Sequence, residues 1–223
     1  MAAQKNNSKI EWKKYLFEIL VIITGISISF MVQNWREGQK NNETEKRVLQ
    51  HMIADLSADS LAIGKEIIFM DKIILGFRAM LSEDDVQVKT DSIRQFITNG
   101  LLSYSYVKKE TIGFQSLLQY EVFKNMENED LVNDILHLYS DTYELLNELS
   151  SIDKQNILEE CIPYYINNYS LIQPLGEAQL KDKSLLNYAA FSISIKGQLL
   201  KAYREALVEL NTLKDNLELE VER

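Results

Sequence analysis

The sequence has few of the residues that interrupt helices. Only 8 glycines and 2 prolines occur among its 223 residues, so few positions favour a turn or a break. Alternation of apolar and polar residues does not persist beyond the short stretches VQVKT and SYSYV, which argues against a sheet. We therefore expect an all-α protein, long enough for one membrane segment and one domain with its own core.

Residues that carry chemistry are also few. The single cysteine, Cys161, excludes an internal disulfide, and His51 and His137 stand apart in the sequence. No HExxH, CxxC, Walker-type or glycine-rich phosphate-binding motif occurs. Glu159 and Glu160 adjoin Cys161, but consecutive residues of a helix point in different directions. The sequence predicts a buried structural thiol, no metal, no cofactor and no enzymatic activity.

Positive charge is scarce outside the N-terminal segment. The chain holds 24 Lys and Arg against 33 Asp and Glu, and residues 36–223 alone hold 20 against 31. A domain with this charge repels phosphate backbones and anionic lipid headgroups. We therefore expect no nucleic-acid partner.

One long hydrophobic run is present, near the N-terminus. Glu18 is the only charged residue over residues 16–32, and 11 of these residues are Leu, Ile, Phe or Val. Each of the 11 favours membrane insertion by about 0.3 to 0.6 kcal/mol, whereas a central charge opposes it by roughly 3 kcal/mol. The pattern predicts a transmembrane helix over residues 15–35, and hence a lipid bilayer as a partner.

Aromatic residues flank this run. Trp12 and Trp35 are 23 residues apart, or about 35 Å along a helix that rises 1.5 Å per residue. That separation suits the two interfaces of a bilayer, and Tyr15 adds to the first aromatic ring. We interpret Trp12, Tyr15 and Trp35 as interfacial anchors.

The run could also be read as the core of a secretory signal peptide, because basic residues precede it. However, no small-residue cleavage site follows Val32, where the chain reads QNWREG. Four basic residues lie on each side, so their number does not decide the orientation. Lys13 and Lys14 adjoin the membrane edge, which favours a short cytoplasmic N-terminus, residues 1–14, and a soluble domain outside the cytoplasm.

One face of the predicted span forms a stripe at spacings of four and three residues. Its members are Glu18, Ile22, Gly25, Ser29, Val32 and Arg36. The small residues Gly25 and Ser29 allow a second helix to approach, with ~0.6 kcal/mol for each hydrogen bond across such an interface. The stripe thus predicts a homo-oligomer or a subunit of a larger membrane complex. The alternative is that Gly and Ser are ordinary in such helices and that Glu18 reaches the interface.

The anchor and the residues after it resemble a known family. The runs FEILVIITGISISFMVQNWRE and NNETEKRVLQHMIADLSADS are similar to an uncharacterised family of single-pass membrane proteins of the Bacteroidota. The matching positions are Glu18, Gly25, Asn34, Trp35, Leu49, Asp55 and Leu56. The resemblance implies an N-terminal anchor that ends in an Asn-Trp pair, a helical domain, and a place in the envelope of a Gram-negative cell. Combined with the cytoplasmic N-terminus, this predicts an inner-membrane anchor with the domain in the periplasm. It implies no activity.

A polar linker, residues 36–42, precedes the predicted helical soluble domain, residues 43–223. In a first long helix, from about 42 to 82, one face repeats at four- and three-residue spacings and is apolar except for Ser60: Leu49, Ile53, Leu56, Ser60, Ile63, Ile67, Met70, Ile74, Phe77 and Leu81. This face could pack within the domain or against a second copy. We favour the first, because two further long helices need partners.

Those two helices are predicted over residues 129–168 and 184–220, both amphipathic. Pro163 should kink or end the first of them, since proline removes a backbone donor. Two short helices are expected at 91–100 and 111–123. Their expected ends are the N-caps Asp91 and Thr111 and the final Gly100. Together these elements predict an antiparallel bundle of three or four long helices.

Tyrosines are concentrated at YSY (104–106), at Tyr164 and Tyr165, and at Tyr169. They could line a ligand pocket or cap the layers of the bundle with their hydroxyls in water, and we favour the second. Two functional hypotheses follow. The first is a non-enzymatic anchored protein that assembles with itself or with membrane subunits. The second is a small-molecule sensor that signals to a partner through its membrane helix.

Overall fold

The computed structural model describes residues 8–81, 96–124, 126, 128–170, 175 and 177–222. Every element of secondary structure within these ranges is a helix, so the predicted all-α class is confirmed. The chain divides into two compact units, Met1–Arg47 and Val48–Arg223.

The first helix, α1, extends over Ser8–Leu81. Residues 36–42, predicted as a linker, are helical and exposed. Gly38 lies among them without interrupting the helix, because an isolated glycine costs only about 1 kcal/mol in a helix interior. The predicted membrane span and the predicted first helix of the domain thus belong to a single element.

From Val48 onward, α1 buries one face within the second unit. The buried side chains recur at spacings of three or four residues, with one spacing of seven, at Leu49, Met52, Leu56, Asp59, Ile63, Met70, Ile73 and Phe77. Ile53, Ser60 and Ile74, expected on this face, are only half-buried. The centre of the face therefore lies about one residue earlier than predicted, and this shift brings a carboxylate, Asp59, into the core.

The predicted helix 129–168 is present as five consecutive helical elements. They are α2 (Glu129–His137), a π-helix (Leu138–Thr142), α3 (Tyr143–Gln155), a second π-helix (Asn156–Cys161) and α4 (Ile162–Asn168). Asn128 begins the run, because its side-chain oxygen accepts a hydrogen bond from the Leu131 N–H. The sequence predicted that Pro163 kinks or ends the run, and the run does not end there. Pro163 lies in the first turn of α4, a position that tolerates proline.

The last long helix, α5, covers Lys183–Glu222 and matches the prediction for 184–220 to within the usual uncertainty of helix ends. Asp182 caps its start by accepting hydrogen bonds from the N–H groups of Ser184 (2.7 Å) and Leu185 (3.1 Å). These backbone hydrogen bonds, that from Leu185 first, lower the pKa of Asp182. A four-residue helix, α6 (Glu177–Leu180), precedes Asp182.

Shorter elements connect the long ones. A π-helix covers Ile97–Leu101, a segment without regular secondary structure covers residues 102–111, and helix α7 covers Ile112–Gln119, followed by a 3-10 turn at Val122–Lys124. Gly100, expected to end a helix, lies inside the π-helix, where an added Cβ would be 2.6 Å from Ile73 Cγ2. Asp91, the other expected cap, lies outside the described residues.

Thr111 precedes α7 as predicted, but its side chain makes no capping hydrogen bond. Asp55 of α1 supplies that acceptor instead, because its Oδ2 receives the N–H of Gly113 at 2.7 Å. The start of α7 is thereby tied to α1. An added Cβ at Gly113 would lie 2.6 Å from the backbone nitrogen of Met52, so only glycine allows this approach.

Apolar side chains of the second unit form two hydrophobic clusters. The first contains α1 from Val48 to Met70, α2 and α5 from Leu199 to Leu217, together with Val107 and Leu117. The second contains the end of α1, the π-helix Ile97–Leu101, the π-helix Asn156–Cys161 and the start of α5. The face of α1 that could have paired with a second copy is thus buried within its own chain.

Candidate functional site

The stripe predicted in the anchor lies on an exposed part of α1. Every described side chain from Trp12 to Trp35 is exposed, including Glu18, Ile22, Gly25 and Ser29, and so is Arg36. An 18-residue window here has a mean hydropathy of 2.1 and no buried residue. This part of α1 is long and apolar enough to cross a membrane, judged by length and composition.

Hydrogen bonds within the helix satisfy the hydroxyls of Thr24 and Ser29. Ser29 Oγ donates to the carbonyl of Gly25 at 2.9 Å, and Thr24 Oγ1 donates to the carbonyl of Leu20 at 2.7 Å. Nothing lies within 4 Å of a Cβ added at Gly25. Gly25 therefore leaves an unfilled space, here called the notch, in an apolar surface. The hydroxyl hydrogen of the adjacent Ser29 is already bonded within the helix and needs no partner from another molecule.

The expected interfacial anchors are exposed at both ends of the run. Trp12 and Trp35 expose about 71% and 66% of their surface, and Tyr15 is similarly open. Near the second end, Gln33 Nε2 donates to Glu37 Oε1 at 2.9 Å. Polar and amphipathic groups thus replace apolar ones beyond Val32, where a bilayer interface would begin.

In the second unit, the most unusual feature is a buried ion pair. Lys196 Nζ of α5 donates to both carboxylate oxygens of Asp153 on α3, each at 2.8 Å, and to the Ser103 carbonyl at 2.9 Å. The side chains of Lys196 and Asp153 retain 1% and 0% of their exposure. Burial of two charges is tolerated only when they are paired and further hydrogen-bonded, and both conditions hold here.

The same carboxylate holds the segment 102–111. Asp153 Oδ2 accepts the Ser105 N–H at 2.9 Å, and the Ser105 hydroxyl lies 3.2 Å from the Tyr203 hydroxyl. Ser150 Oγ lies 3.4 Å from the same Tyr203 hydroxyl. Backbone of the segment, α3 and α5 are therefore joined through one network.

A second polar group fixes the far end of that segment. Asp59 Oδ1 accepts the Glu110 N–H at 2.9 Å, and Asp59 Oδ2 accepts the Tyr143 hydroxyl. Burial raises the pKa of both Asp59 and Tyr143. Lys109 Nζ donates to the Tyr143 carbonyl at 2.8 Å and to Asn147 Oδ1. The segment is thus fastened to α1 and α3 as well as to α5.

The tyrosines singled out in the sequence form two separate groups. Tyr164 packs against Tyr169 and Tyr188, and its hydroxyl donates to Asp182 Oδ1 at 3.3 Å beside the start of α5. Tyr104 and Tyr106 instead line an open cavity of about 290 Å³. Its other lining residues all belong to α3, namely Asn147, Ser150, Ser151 and Lys154.

Cys161 is buried, as the sequence predicts. Its neighbours Glu159 and Glu160 are exposed, and Asn156 Nδ2 donates to its sulfur at 3.6 Å. Burial raises the pKa of the thiol to about 11. The described residues contain no cluster of three His, Cys, Asp or Glu side chains arranged to hold a metal.

Sequence reasoning missed Asp59, Asp153 and Lys196. The available signal was positional, because each lies at helical spacing among apolar residues, Asp59 between Leu56 and Ile63 for example. A charged residue on a buried face is rare unless it is paired. Their partners could not be named in advance, because these are up to 93 positions distant in the chain.

Comparison of the chain with protein-family models, with curated proteins and with solved structures gave no match. The fold and the function therefore rest on the residues themselves.

Proposed function

We propose that this chain is a non-enzymatic, membrane-anchored interaction protein. In this account, residues 15–35 cross the inner membrane, with residues 1–14 in the cytoplasm and the helical domain, residues 43–223, in the periplasm. That domain is an antiparallel bundle of three or four long helices. The span associates with a second copy or docks onto a larger membrane complex, without nucleic acid, metal or cofactor.

The observation that carries this proposal is the exposed apolar run of α1. Large side chains from Leu16 to Val32 are all exposed, which water does not tolerate as a continuous surface. A lipid environment accounts for the run. The open notch at Gly25 gives one side of it the shape that a second helix can approach, because no atom of the chain fills that space.

The helical domain offers a further surface for a partner. Leu61, Ile68 and Leu75 of α1 are about 60% exposed and lie seven residues apart, so they form a line along the helix. The opposite face of α1 is buried within the domain. A second protein that packs on this line would leave the core of the domain unchanged.

Association through the span can be measured by energy transfer between two labelled populations of the full chain in lipid vesicles. We expect transfer for the wild type, and its loss in Gly25→Leu, because the larger side chain fills the notch. Ser27→Leu is the matched control, since position 27 lies on the opposite side of the helix. Equal transfer in wild type, Gly25→Leu and Ser27→Leu, with no other membrane protein retained on purification, would sink the proposal.

Orientation needs a separate experiment. In a Cys161→Ser background, a membrane-impermeant maleimide should label Gly38→Cys in intact spheroplasts, because Gly38 is exposed and lies beyond Trp35. Lys5→Cys should be labelled only after lysis. The reverse pattern would place the helical domain in the cytoplasm.

Ligand binding is a second candidate function, favoured by the cavity beside Tyr104 and Tyr106. A sensor of this type would pass ligand binding to a partner. Thermal unfolding of the full chain in nanodiscs against a library of small metabolites tests this, because a ligand that binds the folded state raises the midpoint. Absence of any shift across the library would remove this candidate and leave the first proposal intact.

A further inference from the structure

The cavity beside α3 has two walls of different chemistry. Tyr104 and Tyr106 line the same cavity, and the residue between them, Ser105, is buried. Asn147, Ser150, Ser151 and Lys154 are spaced by three, one and three residues, which places them on one face of α3. Aromatic rings therefore face a row of amide, hydroxyl and ammonium groups.

The size of the cavity limits the ligand to a small molecule. Its volume of about 290 Å³ lies just below the ~300–1,000 Å³ that ligand pockets typically occupy. The cavity is open to solvent on one side, and Tyr106 is 64% exposed. A single sugar ring or a similar compact polar molecule suits this space, whereas an extended chain would not be enclosed.

The charge of the lining residues is positive although the chain as a whole is acidic. Lys154 is the charged group of the lining, and no carboxylate lines the cavity among the residues that the structure describes. Lys154 Nζ lies over the Tyr104 ring, 5.6 Å from its centre, and makes no ion pair with a described carboxylate. It is therefore placed to bind an anionic group of a ligand.

The cavity is built on fixed parts of the domain. Ser150 in its wall shares the Tyr203 hydroxyl with Ser105, the residue between the two cavity tyrosines. The backbone of Ser105 is held in turn by Asp153. Because both walls meet in this buried network, the cavity is formed before a ligand arrives, which lowers the entropy that binding must overcome.

From these observations we infer that the cavity binds a monosaccharide that carries one anionic group. The apolar face of the sugar ring lies on Tyr106 and Tyr104, its hydroxyls exchange hydrogen bonds with Asn147, Ser150 and Ser151, and its anion contacts Lys154. This inference names the ligand class of the second candidate function and rests on it. It does not depend on association of the span.

The test uses the full chain in nanodiscs and isothermal titration with three probes: glucuronate, glucose 6-phosphate and glucose. Both anions should bind saturably, and glucose about tenfold more weakly. Lys154→Met should reduce binding of the two anions to the level of glucose, and Tyr106→Ala should abolish binding of all three. The two anions distinguish a carboxylate from a phosphate as the preferred group.

Lys201→Met and Tyr120→Ala are the matched controls, because both residues are exposed and lie outside the cavity lining. They should leave all three titrations unchanged. Saturable binding of glucose equal to that of the anions, lost in Tyr106→Ala but kept in Lys154→Met, would overturn the anionic class and leave a ligand site in place. Failure of all three probes to bind, or binding insensitive to both cavity variants, would overturn the inference entirely, while the metabolite library still decides the second candidate.

Discussion

Lys196 Nζ lies 2.8 Å from each carboxylate oxygen of Asp153, and both side chains are shielded from water. The pair joins α5 to α3 and fixes the segment 102–111 through the Ser103 carbonyl and the Ser105 N–H. In an apolar interior such a pair specifies one arrangement of three elements, because any other register leaves a buried charge without its partner.

Removal of one member of this pair should strongly destabilise the domain. We expect Lys196→Met to lower the free energy of unfolding by about 3–5 kcal/mol, since Asp153 would remain buried and charged. Lys201→Met, one turn further along α5, is the control. Lys201 forms an exposed pair with Glu205 at 3.7 Å, worth at most about 1 kcal/mol. Chemical unfolding followed by circular dichroism measures both.

A double variant separates the charge from the packing. Asp153→Leu combined with Lys196→Met should recover most of the stability lost in Lys196→Met, because neither charge remains. If the double variant is as unstable as the sum of the two single variants, the pair makes no specific contribution.

Two glycines should respond oppositely to alanine. In Gly113→Ala the new Cβ meets the Met52 backbone at 2.6 Å, so α1 and α7 must separate and stability should fall by about 1–3 kcal/mol. Gly197→Ala, inside α5, meets nothing within 4 Å and should raise stability by roughly 0.5–1 kcal/mol through helix propensity. Thermal melts of the two variants should therefore shift in opposite directions.

The thiol of Cys161 should be almost unreactive in the folded protein. Burial raises its pKa to about 11, so little thiolate forms near neutral pH. A chromogenic disulfide reagent at pH 8 should react far more slowly with native protein than with protein unfolded in guanidinium. Ser151→Cys in a Cys161→Ser background, exposed on α3, should react quickly without denaturant. Equal rates for the native and unfolded wild type would show that Cys161 is accessible.

His137 should titrate above the usual value for histidine. Its Nδ1 lies 2.9 Å from Glu209 Oε1, and this hydrogen bond, followed by the charge of Glu209, raises the pKa of His137 above 6.5. The stabilisation from this pair is complete below pH 6.5 and is lost as the pH rises through the pKa of the folded state.

Proton NMR of the two histidine rings measures this pKa directly. Glu209→Gln should lower the pKa of His137 toward 6.5, and Asp141→Asn should lower it less, because Asp141 is 3.8 Å from Nε2. A larger effect from Asp141→Asn than from Glu209→Gln would contradict the geometry.

The helices could be predicted from the sequence because their signals are local. Scarcity of glycine and proline, amphipathic periodicity and one apolar run indicated the two parts of α1 on either side of residues 36–42, the run 129–168 and α5. The site in the second unit could not be predicted in the same way. Tyr104 and Tyr106 come close to Lys154 only after folding. The expected buried face of α1 contained Ser60, whereas the structure buries the preceding residue, Asp59. Contacts between distant segments leave no periodic signal.

Pro163 shows a different reason why a prediction from sequence can fail. A proline within a helical pattern usually marks an end, yet here a π-helix directly before it changes the hydrogen-bond register. The residues of Asn156–Cys161, NILEEC, show no preference that would predict a π-helix. The helix therefore continued where the proline rule predicted an end.

The most direct test of the account places a photoreactive amino acid in the span of the full chain and irradiates intact membranes. Positions 22, 25, 29 and 32 on the stripe should give protein adducts, either with a second copy or with a partner. Positions 20, 27 and 31, on the opposite side of the helix, should react with lipid alone. Protein adducts without this helical periodicity, or no lipid adducts at any position, would contradict the claim that residues 15–35 lie in a membrane with one face against protein.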